Sequence, residues 1–198
     1  MPTQTFYNLP DEKRSLIEES LIELFNEFHI SQVKVAQVVE ATGISRAAFY
    51  KYFVNLEDAH RYIVQKFANK IHHDILDAVM ATPDDIFFGL KEYLVSSLTL
   101  DRMSQEFKGL HLLIKGETTT LYKRPTVDES KHFIGQWMRL LQQNKFTIQT
   151  TEEAHAFLFF LMDLVTDSIT AAIVNEWSKE ELIADFDFRT KWLVSGLK

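Results

Sequence analysis

Leu56, Ala59, Ile63, Phe67, Ile71 and Ile75 follow one another at intervals of three or four residues. Held over five turns, that spacing lays a single apolar stripe along an α-helix. A strand would need an interval of two. The stripe predicts one helix from about 56 to 80. The same interval runs through Ile17, Leu21, Leu24, Phe25 and Phe28. It returns in Leu158, Leu161, Met162, Val165, Ile169 and Ile173. Six Gly and four Pro in 198 residues leave few breaks for such elements. No internal repeat and no strand-like alternation competes with them. An all-α chain of about nine helices is expected.

Local signals divide the chain. Pro10, followed by Asp11 and Glu12, opens a helix over 10–28, with Glu18, Glu19, Glu23 and Glu27 on its outer face. A short helix over 35–41 ends at "TGI", where Gly43 suits a left-handed turn. Ser45 then caps a third helix. Asn55 caps the 56–80 helix. Thr82-Pro83-Asp84-Asp85 opens the next, at 83–100. Further helices are expected at 102–115, 127–144, 151–176 and 179–195. Capping boxes open the last two: Thr150 with Glu153, and Ser178 with Glu181. The one loop-rich gap is 115–125.

With no cysteine, disulfides, thiol chemistry and Cys-type zinc or iron–sulfur sites are excluded. "MPTQTFYNLPDEKR" carries no apolar core and does not read as a secretory signal. The run "AFLFFLMDLV" is too short to span a bilayer before Asp163 and Asp167, and reads as buried in protein. No membrane partner and a cytoplasmic location are expected. A net charge of −7 argues against an indiscriminate nucleic-acid coat. It leaves room for a local contact.

"ATGISRAAFYKYF", residues 41 to 53, supplies one. Two short helices joined by a tight Gly turn and packed on a preceding helix form a helix-turn-helix. The second helix of that motif enters the DNA major groove. It would present Ser45, Arg46, Ala47, Ala48, Tyr50 and Lys51. Arg can bond guanine bidentately, and Ala can touch a thymine methyl. Tyr50, Lys51 and Tyr52 suit phosphates, and Lys34, just before the 35–41 helix, could still reach one. The 29–53 stretch holds Lys34, Arg46 and Lys51 against Glu40, although residues 1–60 together are acidic. The competing reading is a helical hairpin with an ordinary solvated face.

"VKVAQVVEATGISRAAFYKYFVNLEDA" resembles the N-terminal signature of the TetR/AcrR family of bacterial transcriptional regulators. Ala41, Gly43, Ile44, Ser45, Phe49, Tyr50, Phe53, Asn55 and Glu57 carry the likeness, which covers about residues 10 to 65. The chain departs from the pattern in four places. His29 stands where Gly is frequent, Lys34 where Ser or Thr is, and Ala47 where Gly is. Leu56 stands where many members place a DNA-contacting Lys.

The resemblance implies a three-helix helix-turn-helix head over 1–55 and a larger helical bundle over 56–198, with 56–80 as the linker helix. The bundle would bind a ligand and dimerise. It implies a homodimer on a near-palindromic double-stranded operator, acting as a repressor, with no cofactor and no catalysis. The last two helices would build the dimer interface. Helix 151–176 is apolar on two faces, the second formed by Phe157, Phe160, Leu164 and Ala171. The partner face is expected to use Leu158, Met162, Val165, Ile169 and Ile173, with Ile183, Phe186 and Leu193 from the last helix. A small-molecule effector pocket would draw on Phe87, Tyr93, Phe107, His111, Trp137, Met138 and Phe160. Core packing is the competing reading for each.

Two other classes stay open. Glu129 with His132 and Glu152 with His155 are E-x-x-H steps of the kind found in di-metal carboxylate bundles. Both fall in first helical turns, where capping explains the Glu. His72 and His73 are adjacent on a helix and point about 100° apart, too far to share a metal easily. The acidic head and Leu56 would also suit a protein-binding module of the same fold that makes no useful contact with DNA.

Overall fold

The computed structural model describes residues 1–115 and 131–197. Ten α-helices lie among them: α1 Gln4–Tyr7, α2 Asp11–Glu27, α3 Val35–Thr42, α4 Arg46–Tyr52, α5 Leu56–Ala81, α6 Ile86–Leu98, α7 Gln105–Lys115, α8 Lys131–Gln143, α9 Thr151–Val174 and α10 Lys179–Leu197. A 3-10 turn at Ile30–Gln32 precedes α3. The described residues contain no strand, so the all-α expectation holds. The expected loop at 115–125 lies outside the described residues except at Lys115. So do the first residues of the helix expected from 127.

The chain divides into two compact units. One holds Met1–Lys70 and the stretch from Asp101 that carries α7. The other holds Ile71–Leu100 with α8, α9 and α10. The division falls inside α5, and α7 groups with α1 to α4.

In the first unit, α2 buries Ile17, Leu21, Ile22, Leu24 and Phe25. It packs against α3 and, on another side, against α7. The α7 contact has polar ends. Asn26 Nδ2 donates to the Lys108 carbonyl at 2.9 Å, Asn26 Oδ1 meets His111 Nδ1 at 2.9 Å, and the Lys108 ammonium pairs with Glu23 at 2.5 Å. Gly109 lets α7 approach α5 so closely that a Cβ there would lie 2.0 Å from Phe67. Glu18 departs from expectation. It is buried, accepts from the Tyr62 hydroxyl and pairs with Lys66 at 2.5 Å, so it faces α5 and not solvent.

The helix α1 has no counterpart in the periodicity. Phe6 is fully buried beside the rings of Tyr52, Phe53 and Tyr62.

In the second unit both predicted capping boxes form. Thr150 Oγ accepts from Glu153 N at 3.1 Å, and Glu153 Oε2 accepts in return from Thr150 N at 3.1 Å. Ser178 and Glu181 repeat the exchange. The helix expected from residue 83 begins at Ile86 instead. Asp85 is its cap, accepting from Phe88 N at 3.0 Å, while the Thr82 hydroxyl turns back to the Ala78 carbonyl.

Trp137 is 1 % exposed, and its indole N–H donates to the Ala154 carbonyl at 2.8 Å. The helix α9 is long and apolar enough to cross a membrane, yet half of that window is buried inside the protein. Leu158, Leu161, Met162, Val165, Ile169 and Ala172 form its buried side.

Candidate nucleic-acid interface

The helix α3 ends where Gly43 takes φ 65°, and its N–H caps the Val39 carbonyl at 3.0 Å. A residue with a Cβ adopts that backbone at a cost of about 1–2 kcal/mol, which glycine avoids. Two residues later Ser45 caps α4, accepting from Ala48 N at 3.1 Å. The tight turn therefore has both ends closed by hydrogen bonds. The helix α4 is only seven residues long, too short to persist alone in water. Tertiary contacts hold it: Phe49 and Phe53 are fully buried, and Tyr52 is 6 % exposed.

The opposite face is bare. Ser45, Arg46, Ala47, Tyr50 and Lys51 are exposed, and Ala48 is partly so. The Arg46 guanidinium lies 5.8 Å from the Tyr50 ring centre, which steadies two long side chains side by side. Lys34 is exposed at the start of α3, where its backbone N–H is held by the Gln37 side chain at 2.7 Å. Every expected DNA-facing residue but one is thus available to a partner.

The exception is Tyr52, expected to reach phosphate. It is buried against Phe6, with ring centres 6.0 Å apart. On a short helix, residue 52 follows 49 by three and shares its inward face, whatever its hydroxyl suggests.

The sequence reading missed a support beneath this helix. Thr3 N–H donates to the Tyr52 carbonyl at 2.9 Å, and Thr3 Oγ donates to the Lys51 carbonyl at 2.6 Å. Helix C-termini leave carbonyls unpaired, and Thr3 satisfies two of them. A Thr three residues before a lone Phe is too weak a signal to find this beforehand.

The next helix begins from a similarly fixed point. Asn55 Oδ1 accepts from Asp58 N at 2.8 Å, and the Asp58 carboxylate accepts from Val54 N at 3.2 Å. Leu56 is partly buried there.

The residues expected to line an effector pocket are distributed. Phe107 and His111 lie in the first unit, stacked with ring centres 6.2 Å apart. Burial, then Lys115, lowers the His111 pKa. Phe87, Tyr93, Trp137, Met138 and Phe160 lie in the second. Tyr93 is largely enclosed, and burial pushes its hydroxyl up to about 12. Two of these residues border surface grooves. Phe87 lines one of about 660 Å³, and Phe160 a shallower one of about 570 Å³ with Phe157 and Ile148.

Most residues expected at the dimer face lie inside the chain. Leu158, Met162, Val165, Ile169 and Phe186 are at most 6 % exposed within one subunit, so they form its core. Ile173, Ile183 and Leu193 are partly buried. The large apolar groups left in solvent on α9 and α10 are Phe160, Val174, Phe188 and Trp192, the last 71 % exposed.

For the metal alternative, Glu129 and the side chain of His132 lie outside the described residues. Glu152 is exposed, and the His155 ring packs edge-on to Phe159. His72 is half-buried near the same Phe159, with its pKa lowered by burial, while His73 is exposed. Among the described residues no group of three or more His, Asp or Glu is placed to hold a metal ion.

Residues 85–197 match the family model described as the tetracyclin repressor-like C-terminal domain. No curated protein matches the chain by sequence. Among solved structures, it is similar to a TetR-family transcriptional regulator from Pectobacterium atrosepticum, 14 % identical over 94 % of each chain, with a TM-score of 0.58. It is similar to the fatty acid degradation regulator FadR from Bacillus halodurans, 17 % identical over 90 % of this chain and 94 % of that one, TM-score 0.57. A third is NalD, the secondary repressor of the MexAB-OprM multidrug efflux pump in Pseudomonas aeruginosa, 17 % identical over 91 % of this chain and 97 % of that one, TM-score 0.51. At these identities the likeness is one of fold.

Proposed function

The chain belongs to the TetR family of transcriptional regulators, and from that premise we propose that it binds a near-palindromic DNA operator as a homodimer, represses transcription in the cytoplasm, and is modulated by a small-molecule effector. One observation carries the proposal. The seven-residue α4 buries Phe49 and Tyr52, with Phe53 buried just beyond its end, and leaves Arg46, Tyr50 and Lys51 exposed together on its other face.

In this reading α4 enters the major groove. Arg46 reads a base edge, and Ala47 and Ala48 permit close approach. Tyr50, Lys51 and Lys34 fix register on phosphates. The Gly43 turn and the Ser45 cap set the angle at which α4 leaves α3. Thr3 and Phe6 hold its far end. No step of chemistry is involved; the family is one of regulators, not enzymes.

Two heads reading successive major grooves need a rigid spacing. The dimer that sets it is assigned to the exposed α9–α10 surface, with Phe188 and Trp192 one turn apart on α10 and Phe160 and Val174 on α9. An effector acts by binding the two head spacings with different affinity.

The test is a binding selection on sheared genomic DNA with the purified protein, repeated with Lys51→Ala and at two salt concentrations. The expected result is an enriched near-palindrome, lost with the variant and weakened by salt. Failure to enrich any sequence at low salt, with the dimer intact and effector-free, would sink the operator reading. The acidic head and Leu56 would then favour a protein-binding module.

A further inference from the structure

The groove of about 660 Å³ in the second unit is walled by the start of α6, the end of α8 and the last turns of α10. That volume lies in the range of small-molecule sites. Phe87, Phe88 and Phe146 supply its apolar wall, with Phe87 and Phe146 ring centres 6.0 Å apart. Phe88 is 50 % exposed, an aromatic face left to solvent at the rim.

The charges along the groove are not balanced in what they engage. Each of its three carboxylates already has a partner. Asp187 pairs with Lys91 at 2.5 Å, Asp84 accepts from Gln143 Nε2 at 2.7 Å, and Asp85 caps α6 through Phe88 N. The remaining two cations, Lys145 and Lys191, have no side-chain partner among the described residues.

Lys145 also occupies a backbone position that suits glycine. Its φ is 60°, at the left-handed end of α8. Lys145 N donates to the Gln142 carbonyl at 2.9 Å and Phe146 N to the Leu141 carbonyl at 3.0 Å, closing the helix as a Schellman turn. Buried Asn144 fixes the same corner, donating to the Pro83 carbonyl at 2.8 Å and the Leu140 carbonyl at 2.9 Å. Glu176 ends α9 in the same conformation, so the turn alone assigns no role. At residue 145 it coincides with an aromatic wall and a second unpaired ammonium.

We propose that this groove binds a small carboxylate with an aromatic or other apolar body, its anionic end held by Lys145 and Lys191 and its body laid against Phe87, Phe88 and Phe146. Such a ligand supplies the partner the two lysines lack and covers apolar surface otherwise left wet. A neutral or cationic analogue of the same shape satisfies only the wall.

Isothermal titration with 4-phenylbutyrate, 4-phenylbutanol and 4-phenylbutylamine tests this on the whole chain without DNA, so its failure leaves the operator reading untouched. The carboxylate is expected to bind at least tenfold more tightly than the other two. Lys145→Gly discriminates a binding role from a structural one. It removes the ammonium and relieves the backbone, so thermal stability rises while carboxylate affinity falls at least tenfold. Lys191→Ala is expected to lose affinity with stability unchanged. No carboxylate binding, no preference for the carboxylate, or full affinity in Lys145→Gly would each overturn the proposal.

Discussion

Gly109→Ala tests the close approach of α7 to α5. A Cβ at residue 109 would lie 2.0, 2.1 and 2.4 Å from Cδ1, Cε1 and Cγ of Phe67. Carbon atoms rest about 3.5–4.0 Å apart, so the ring or the helix must yield by about 1.5 Å. Phe67 is 7 % exposed on α5, and the atoms met include its Cγ, which side-chain rotation moves least. Overpacking costs about 1–3 kcal/mol, and a displacement this large belongs to the upper part of that range, about 2–3 kcal/mol. Against it stands the helix preference of Ala over Gly, about 1 kcal/mol. The net expectation is a loss of about 1–2 kcal/mol, or about 2–8 °C in Tm for a chain of this length. Urea and thermal unfolding at one fixed protomer concentration measure it, since dimerisation would otherwise shift the midpoint. Gly109→Ala in a Phe67→Leu background should be milder, with a coupling of about 1 kcal/mol. A Gly109→Ala protein as stable as the parent, or more so, would show that α7 does not sit this close to α5.

Other outcomes are as specific. Gly89→Ala should be at least as damaging, because a Cβ there meets the Ala78 carbonyl at 2.5 Å, and backbone cannot swing aside. Lys51→Ala should weaken operator binding, leave the dimer intact, and reduce the log–log salt slope by about 1.8, one phosphate per head. Phe188→Asp combined with Trp192→Asp should give a folded monomer by sedimentation; a dimer unaffected by both charges would refute the assigned face. Burial holds the His60, His72 and His111 pKa values below the ordinary imidazole range. The unfolded chain then binds more protons, so stability is full above about pH 6.5. It falls as pH drops from there through the lower folded values. His60→Leu should flatten part of that fall in urea titrations between pH 7 and 5.

Elements whose signal is local could be read from the chain alone. The α5 stripe, the Gly43 turn, the Ser45 cap and the boxes at Thr150 and Ser178 each depend on residues within a few positions of one another. What escaped depends on distant partners. The helix α1 exists because Phe6 fills a space among Tyr52, Phe53 and Tyr62, none of them near it in sequence. At the start of α6 the local pattern points to Thr82 as the cap with Pro83 in the first turn, yet Asp85 caps the helix; the close approach of Gly89 to Thr82 and Ala78 accompanies the later start. On α9 two apolar faces looked alike, and only the packing of α6, α8 and α10 decides which is interior. Tyr52 shows the same limit at the candidate site: its residue type suited phosphate, but its register assigned it to the core.

Trp137, Trp177 and Trp192 all lie in the second unit, and the first contains none. In ultraviolet emission the first unit, which carries the proposed DNA-reading helix, is therefore dark to selective tryptophan excitation. Trp137, sealed from water with its N–H bonded, should emit to the blue, and Trp192, 71 % exposed, to the red. Subunit association and ligand entry can thus be followed in different parts of one spectrum, without labels, while an operator titrated onto the head contributes no direct tryptophan contact of its own.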